Sequence, residues 1–165
     1  MSLKSNQTSS NIFIYFLSHS TELLRRKQKA ENENNQAALA EACGKLGHHF
    51  MNESRLRDAL GEFRQQSDIH QTLCEKMEFA RANRMIGEVF MLMGNYQEAL
   101  KHEDVYMKIA KQENNLVEMQ RAYATVGRCY LLQAEDKGTA GSKDAPIDFK
   151  AAEKAFLKSL IICKE

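Results

Sequence analysis

The chain has no tryptophan, a single proline and only eight glycines in 165 residues. Collagen-like and Pro/Gly-rich low-complexity architectures need far more of the last two. No apolar run is long enough to span a bilayer; the strongest, Asn-Ile-Phe-Ile-Tyr-Phe-Leu at 11–17, covers seven positions. It has only Lys4 before it and no small-residue cleavage site, so it does not read as a secretory signal. An excess of one charge is missing too. With 23 basic and 22 acidic residues, the formal net charge of +1 gives no global field to recruit nucleic acid or an anionic membrane. The four cysteines (Cys43, Cys74, Cys129, Cys163) form no Cys-x-x-Cys pair. A chain of this size needs no disulfide framework, so they read as buried reduced thiols of an intracellular protein. Runs of alternating β-branched residues are absent, which leaves a sheet without a source.

What is present is helical. Ala, Leu, Glu, Lys, Gln and Met dominate, and the expected class is all-α. A forty-residue self-similarity organises the chain. Gly47, Gly87 and Gly127 each follow an aliphatic residue (Leu46, Ile86, Val126) and precede an aromatic one by three positions (Phe50, Phe90, Tyr130). Twelve residues after the first two glycines come Ala59-Leu60 and Ala99-Leu100. Leu39, Cys43, Leu46 and Phe50 fall at helical spacing, and Met119, Tyr123, Val126 and Tyr130 repeat it. Each glycine lies on that apolar stripe. Glycine inside a helix costs about 1 kcal/mol against alanine, so its recurrence calls for a packing reason, the close approach of a partner helix past small Ala59 and Ala99.

A fixed period of this size predicts stacked helix pairs and a role in recognition. Aliphatic-Gly-x-x-aromatic followed by Gly-x-Tyr-x-x-Ala-Leu, clearest from Ile86-Gly87 to Ala99-Leu100, resembles the tetratricopeptide pattern. That resemblance implies a right-handed α-solenoid of helix-turn-helix repeats. The period is forty instead of the usual 34, and the usual terminal proline is missing, so longer helices are expected. They are predicted near 36–52, 55–73, 76–93, 96–112, 115–133 and 148–164, giving units near 36–73, 76–112 and 115–164. A short helix from Thr21 to Ala30 is expected to precede them, with residues 1–20 a poorly ordered or anomalous segment outside a domain at 21–165. The third unit holds thirteen extra residues between Gly127 and Ala152. With Gly138, Gly141, Ser142 and Pro146, residues 133–147 read as an exposed loop insert. The apolar Leu160-Ile161-Ile162-Cys163 end lacks a polar capping helix, which predicts a longer protein.

Within the third unit, the run from Gln120 to Arg128, the insert, and the run from Ala152 to Leu160 resemble the N-terminal tetratricopeptide region of the Tonsoku-like family. So do Arg84–Glu88 and the opening Met1-Ser2-Leu3. The resemblance covers roughly residues 21–165, while residues 4–20 depart from it. It implies a nuclear scaffold at stalled or damaged replication forks, joined by a large partner that promotes recombinase loading. It also implies ankyrin repeats that read core histones and leucine-rich repeats in the whole protein. None of that ankyrin or leucine-rich sequence lies in this chain, so no histone-reading residue is assigned.

No catalytic or metal constellation emerges. His48 and His49 are adjacent and diverge by about 100° on a helix. His70 and Cys74 lie four apart without a third group to orient them. The glycines sit within helices rather than in a phosphate-cradling loop. No enzyme activity, cofactor or metal is expected. The candidate site is instead the inner wall of the array, lined by the first helix of each unit: Gly44, His48 and Met51, then Arg81, Arg84, Glu88 and Met91, then Arg121, Thr125, Arg128 and Leu132. Arg81, Arg84, Glu88, Met91, Arg121 and Arg128 form the expected groove, its arginine forks suited to an acidic peptide and its methionine to apolar contact. Surface pairing of Arg81 or Arg84 with Glu78 or Glu88 is the plainer alternative. Two other functions compete with a fork-repair scaffold. Spindle-orientation or receptor-coupled scaffolds share the period, but call for Leu-Gly-Asn where His48, Glu88 and Arg128 follow glycine here. Direct nucleic-acid binding is weakened by the charge balance.

Overall fold

The computed structural model describes residues 20–163, and among them the chain is helical throughout, with no strand. Residues 20–32 form α1. It is followed by α2 (Gln36–Asn52), α3 (Leu56–Thr72), α4 (Lys76–Leu92), α5 (Tyr96–Gln112), α6 (Leu116–Thr139) and α7 (Ala145–Ile162). The expectations for residues 1–19, including the apolar run at 11–17, lie outside the described residues.

The forty-residue period resolves into two twenties. From α2 to α5 each helix is 17 residues long and a three-residue turn follows it. The middle residue of each turn is left-handed: Asn34, Ser54, Cys74, Gly94 and Asn114 have φ of 51, 58, 59, 74 and 49°. The next amide then reaches back five residues to a helix-end carbonyl, as from Asn35 to Ala30, Arg55 to Phe50, Glu75 to His70, Asn95 to Phe90 and Asn115 to Ala110. This is the Schellman closure, which satisfies carbonyls that a helix end leaves open. Asn35, Asn95 and Asn115 then start the next helix, their side chains accepting from the amides of Ala38, Glu98 and Glu118.

The chain divides into two compact units, the first ending at Ile69 and the second beginning at His70. In the first, Ala30, Leu39, Ala40, Cys43 and Ile69 form one core cluster, and Leu46 and Phe63 are fully buried as well. Lys27 of α1 reaches Glu62 of α3 at 2.7 Å. In the second, one cluster gathers Ala80, Tyr106, Met107 and Ala122, and another Met91, Ala99 and Cys129.

The repeated glycines are explained by side chains more than by backbone. A Cβ on Gly47 would lie 2.6 Å from the Phe63 ring, and one on Gly127 would lie 2.8 Å from the Phe156 ring. In the middle repeat it would meet a Glu103 carboxyl oxygen at 2.9 Å and the Ala99 carbonyl at 3.2 Å.

The thirteen-residue insert is mostly helix. Gln133, Ala134, Glu135 and Lys137 are good helix formers that outweigh Asp136 and Gly138, so α6 runs on to Thr139 and leaves only residues 140–144 as a turn. Gln133 and Ala134 are buried, Tyr96 donates to Asp136, and Lys137 pairs with Asp148 of α7 at 2.7 Å. The closing turn repeats the left-handed device at Gly141, φ 71°. Beyond it, α7 leaves Leu157, Leu160 and Ile161 exposed.

Candidate functional site

The predicted arginines come together on one face of the second unit, where α4 and α6 lie over α5. They form two ionic clusters. In the first, Glu118 of α6 is buried and receives Arg81 of α4 at 3.0 Å and Arg121 of its own helix at 3.2 Å. Tyr106 of α5 donates its hydroxyl to the other Glu118 oxygen from below, and Arg81 also holds Glu78. Burial alone would raise the Glu118 carboxyl, but the hydrogen bonds from Tyr106 and Arg81 overcome it and hold the group below the ordinary carboxylate range. Burial, reinforced by the same contact, pushes the Tyr106 phenol up. This cluster is internally balanced and ties three helices.

In the second cluster Glu88 accepts from Arg84 on its own helix at 2.7 Å and meets Arg128 of α6 at 3.3 Å. Two cations share one anion, with the Arg128 side chain 49% exposed and that of Arg84 28% exposed. Glu103 of α5 belongs to the same assembly. It is 1% exposed, and neither carboxyl oxygen has a hydrogen-bond partner among the described residues. Burial pushes its carboxyl up to about 8, opposed by Arg84 and Arg128 and reinforced by Glu88. At neutral pH it holds its proton, and the Arg84–Glu88–Arg128 group keeps one positive charge in excess.

Five of the six expected groove residues therefore share this face: Arg81, Arg84, Glu88, Arg121 and Arg128. Met91 does not. It is 4% exposed and packs with Ala99 and Cys129, because one helical turn after Gly87 it returns to the buried stripe. Thr125 is buried as well, its hydroxyl turned to the Arg121 carbonyl. The pairings of Arg81 with Glu78 and Arg84 with Glu88 exist as the plainer alternative had them. What the spacing missed is Glu118, Tyr106 and Glu103. A signal for Glu103 was present in the register: sixteen residues after the repeat glycine stand Phe63 and Glu103, and the insert-corrected third position is Phe156.

The histidines are engaged elsewhere. His49 meets Glu53 at 3.1 Å, His70 meets Glu75 at 2.6 Å, and the His48 ring lies edge-on to Phe63. Among the described residues no group of three His, Cys, Asp or Glu side chains is placed to hold a metal ion, and no helix is long and apolar enough to cross a membrane.

No protein-family model matches the sequence. Tonsoku-like protein of Drosophila melanogaster is 37% identical over 142 residues, covering 86% of this chain and 10% of the relative. Tonsoku-like protein of Mus musculus is 33% identical over 144 residues, 87% of this chain and again 10% of the relative. The chain thus spans about a tenth of the length of these relatives. Among solved structures, the tetratricopeptide domain of Arabidopsis FLU superposes with a TM-score of 0.64 at 20% identity, over 78% of this chain and 98% of that domain. The chain is a homologue of Tonsoku-like proteins over most of its length, and its fold is the all-α tetratricopeptide type.

Proposed function

We propose that this chain is a protein-interaction scaffold that binds an acidic peptide segment of a protein partner across Arg84 and Arg128, and that it serves a nuclear protein acting in recombinational repair of stalled or damaged replication forks. The fork role and the nuclear setting rest on the likeness to Tonsoku-like proteins, and the site on the geometry. One observation carries the site: two partly exposed arginines from two helices converge on a single glutamate. An arriving carboxylate finds guanidinium donors already aimed and a local excess of one positive charge. The cluster of Arg81 and Arg121 with Glu78 and Glu118 has no such surplus and ties α4 to α6 beside it. No catalytic step is assigned to the chain.

The test is fluorescence anisotropy with a labelled eight-residue peptide alternating glutamate and leucine, against the chain and its R84E/R128E double variant. Binding to the chain, lost by tenfold or more in the folded variant, supports the assignment; charge-assisted hydrogen bonds of about 1.5–3 kcal/mol each set that scale. Equal binding by both proteins sinks it. Duplex DNA of random sequence is the counter-probe. Affinity for DNA that falls steeply with salt, alongside indifference to the peptide, would move the chain to the nucleic-acid class.

A further inference from the structure

Glu103 stands at a position where the two neighbouring repeats carry phenylalanine. In those repeats the ring lies against the glycine (Phe63 on Gly47, Phe156 on Gly127) and completes the packing of the helix pair. In the middle repeat the glycine receives a carboxyl oxygen. A phenylalanine there would satisfy the fold, as it does twice in the same chain. The carboxyl makes no hydrogen bond among the described residues, so it is not held in place by a polar network of its own. Buried polar groups are ordinarily paired, and one that is not calls for an account beyond packing.

Its surroundings supply that account. Its carboxyl oxygen lies against Gly87, on the helix that carries Arg84 and Glu88, and it is within electrostatic reach of those two groups, of Arg128 on α6 and of the buried Cys129 thiol. On α5 its titratable neighbours are His102, which meets Asn83 at 2.9 Å, Asp104 and Tyr106. With Asp104, and with Lys154 and Lys158 of α7, it shares the lining of a cavity of about 350 Å³. The charges that act on it most are the three of the candidate site, Arg84 first.

We infer that Glu103 is a positioning residue for the arginine pair. With its proton in place, it leaves Arg84 and Arg128 one positive charge in excess over Glu88, available to a partner's carboxylate. Once it gives that proton to solvent, it becomes a second internal anion, and the surplus that attracts the partner is gone. The inference rests on the proposed acidic-peptide reading for its consequence, but not for its chemistry. Burial places the change near pH 8, so the working state at neutral pH is the uncharged one.

The experiment has two arms on the chain as it stands. In the first, NMR follows the Glu103 carboxyl carbon and the Arg84 and Arg128 side-chain resonances of the free protein from pH 6 to 10. The expected result is a Glu103 midpoint near 8, with the arginine signals moving at the same midpoint in the wild type and staying still in E103Q. A Glu103 midpoint in the ordinary carboxylate range, or arginines that ignore it, overturns the inference. In the second arm the glutamate–leucine peptide is titrated at pH 7 and pH 9. Wild-type affinity falls roughly three- to fivefold, the scale of one added charge in a partly solvated site, whereas E103Q and E103F show a flat profile. The same fall in both variants overturns the inference. If the peptide binds no form at either pH, the peptide reading fails while the first arm still decides the role of Glu103. E103F, which restores the residue of the sibling repeats, guards against a variant that merely fails to fold.

Discussion

The first and second repeats place a side chain against a helical glycine in the same register, yet one is Phe63 on Gly47 and the other Glu103 on Gly87. Phe63 is fully buried and converts the space left by the missing Cβ into apolar contact. Glu103 is almost equally buried, but it brings two polar oxygens without hydrogen-bond partners among the described residues and an acid whose proton is held by burial. The backbone solution is shared; the use made of the buried space is not. The phenylalanine stabilises. The glutamate carries a desolvation cost and puts a titratable group within electrostatic reach of Arg84 and Arg128.

Truncating each residue should widen that contrast. F63A empties a ring's volume from a dry contact and should cost about 3–5 kcal/mol in urea unfolding. E103F makes the second repeat resemble the first and should stabilise the chain by about 1–3 kcal/mol at pH 8, the scale of desolvating an unpaired polar group. A loss of stability in E103F would mean that Glu103 has packing duties a ring cannot meet. The smallest effect concerns the turns. Cys74 and Gly94 occupy successive left-handed positions, and C74G should gain about 0.5–1 kcal/mol by relieving the strain of a side chain at φ 59°. Unchanged stability in C74G would show that the turn tolerates a Cβ freely.

The parts of the fold set by period were legible before the structure. The four regular helices α2 to α5 fall within a residue or so of the expected positions, because stripe, cap and turn recur every twenty residues. The end of α6 was not legible. Glycine and proline in 133–147 suggested a loop, whereas burial of Gln133 and Ala134 and the Lys137–Asp148 pair extend the helix to Thr139. For the candidate face, helical spacing was enough to align Arg81, Arg84 and Glu88, and the repeat brought Arg121 and Arg128 beside them. It could not show that Met91 turns inward, since the boundary between a buried stripe and its flank is narrower than one residue type. Nor could it reveal Glu118 and Glu103, whose significance comes from burial and from which helices meet around them. For Glu103, extending the repeat comparison by four residues past Ala99 would have exposed a glutamate in a phenylalanine position.

The middle repeat keeps a buried acid uncharged at neutral pH. The most direct measurement is the difference in unfolding free energy between wild type and E103Q from pH 4 to 9. A carboxyl whose folded-state value is raised from 4.5 to about 8 contributes its stability fully below 4.5 and loses it as the pH climbs toward 8. Wild type should therefore lose stability relative to E103Q across that window, by on the order of 1 kcal/mol per pH unit, and the gap should then stay constant above pH 8. A difference that stays constant from pH 5 to 8 would show that Glu103 is already ionised in the folded chain, and would contradict the account.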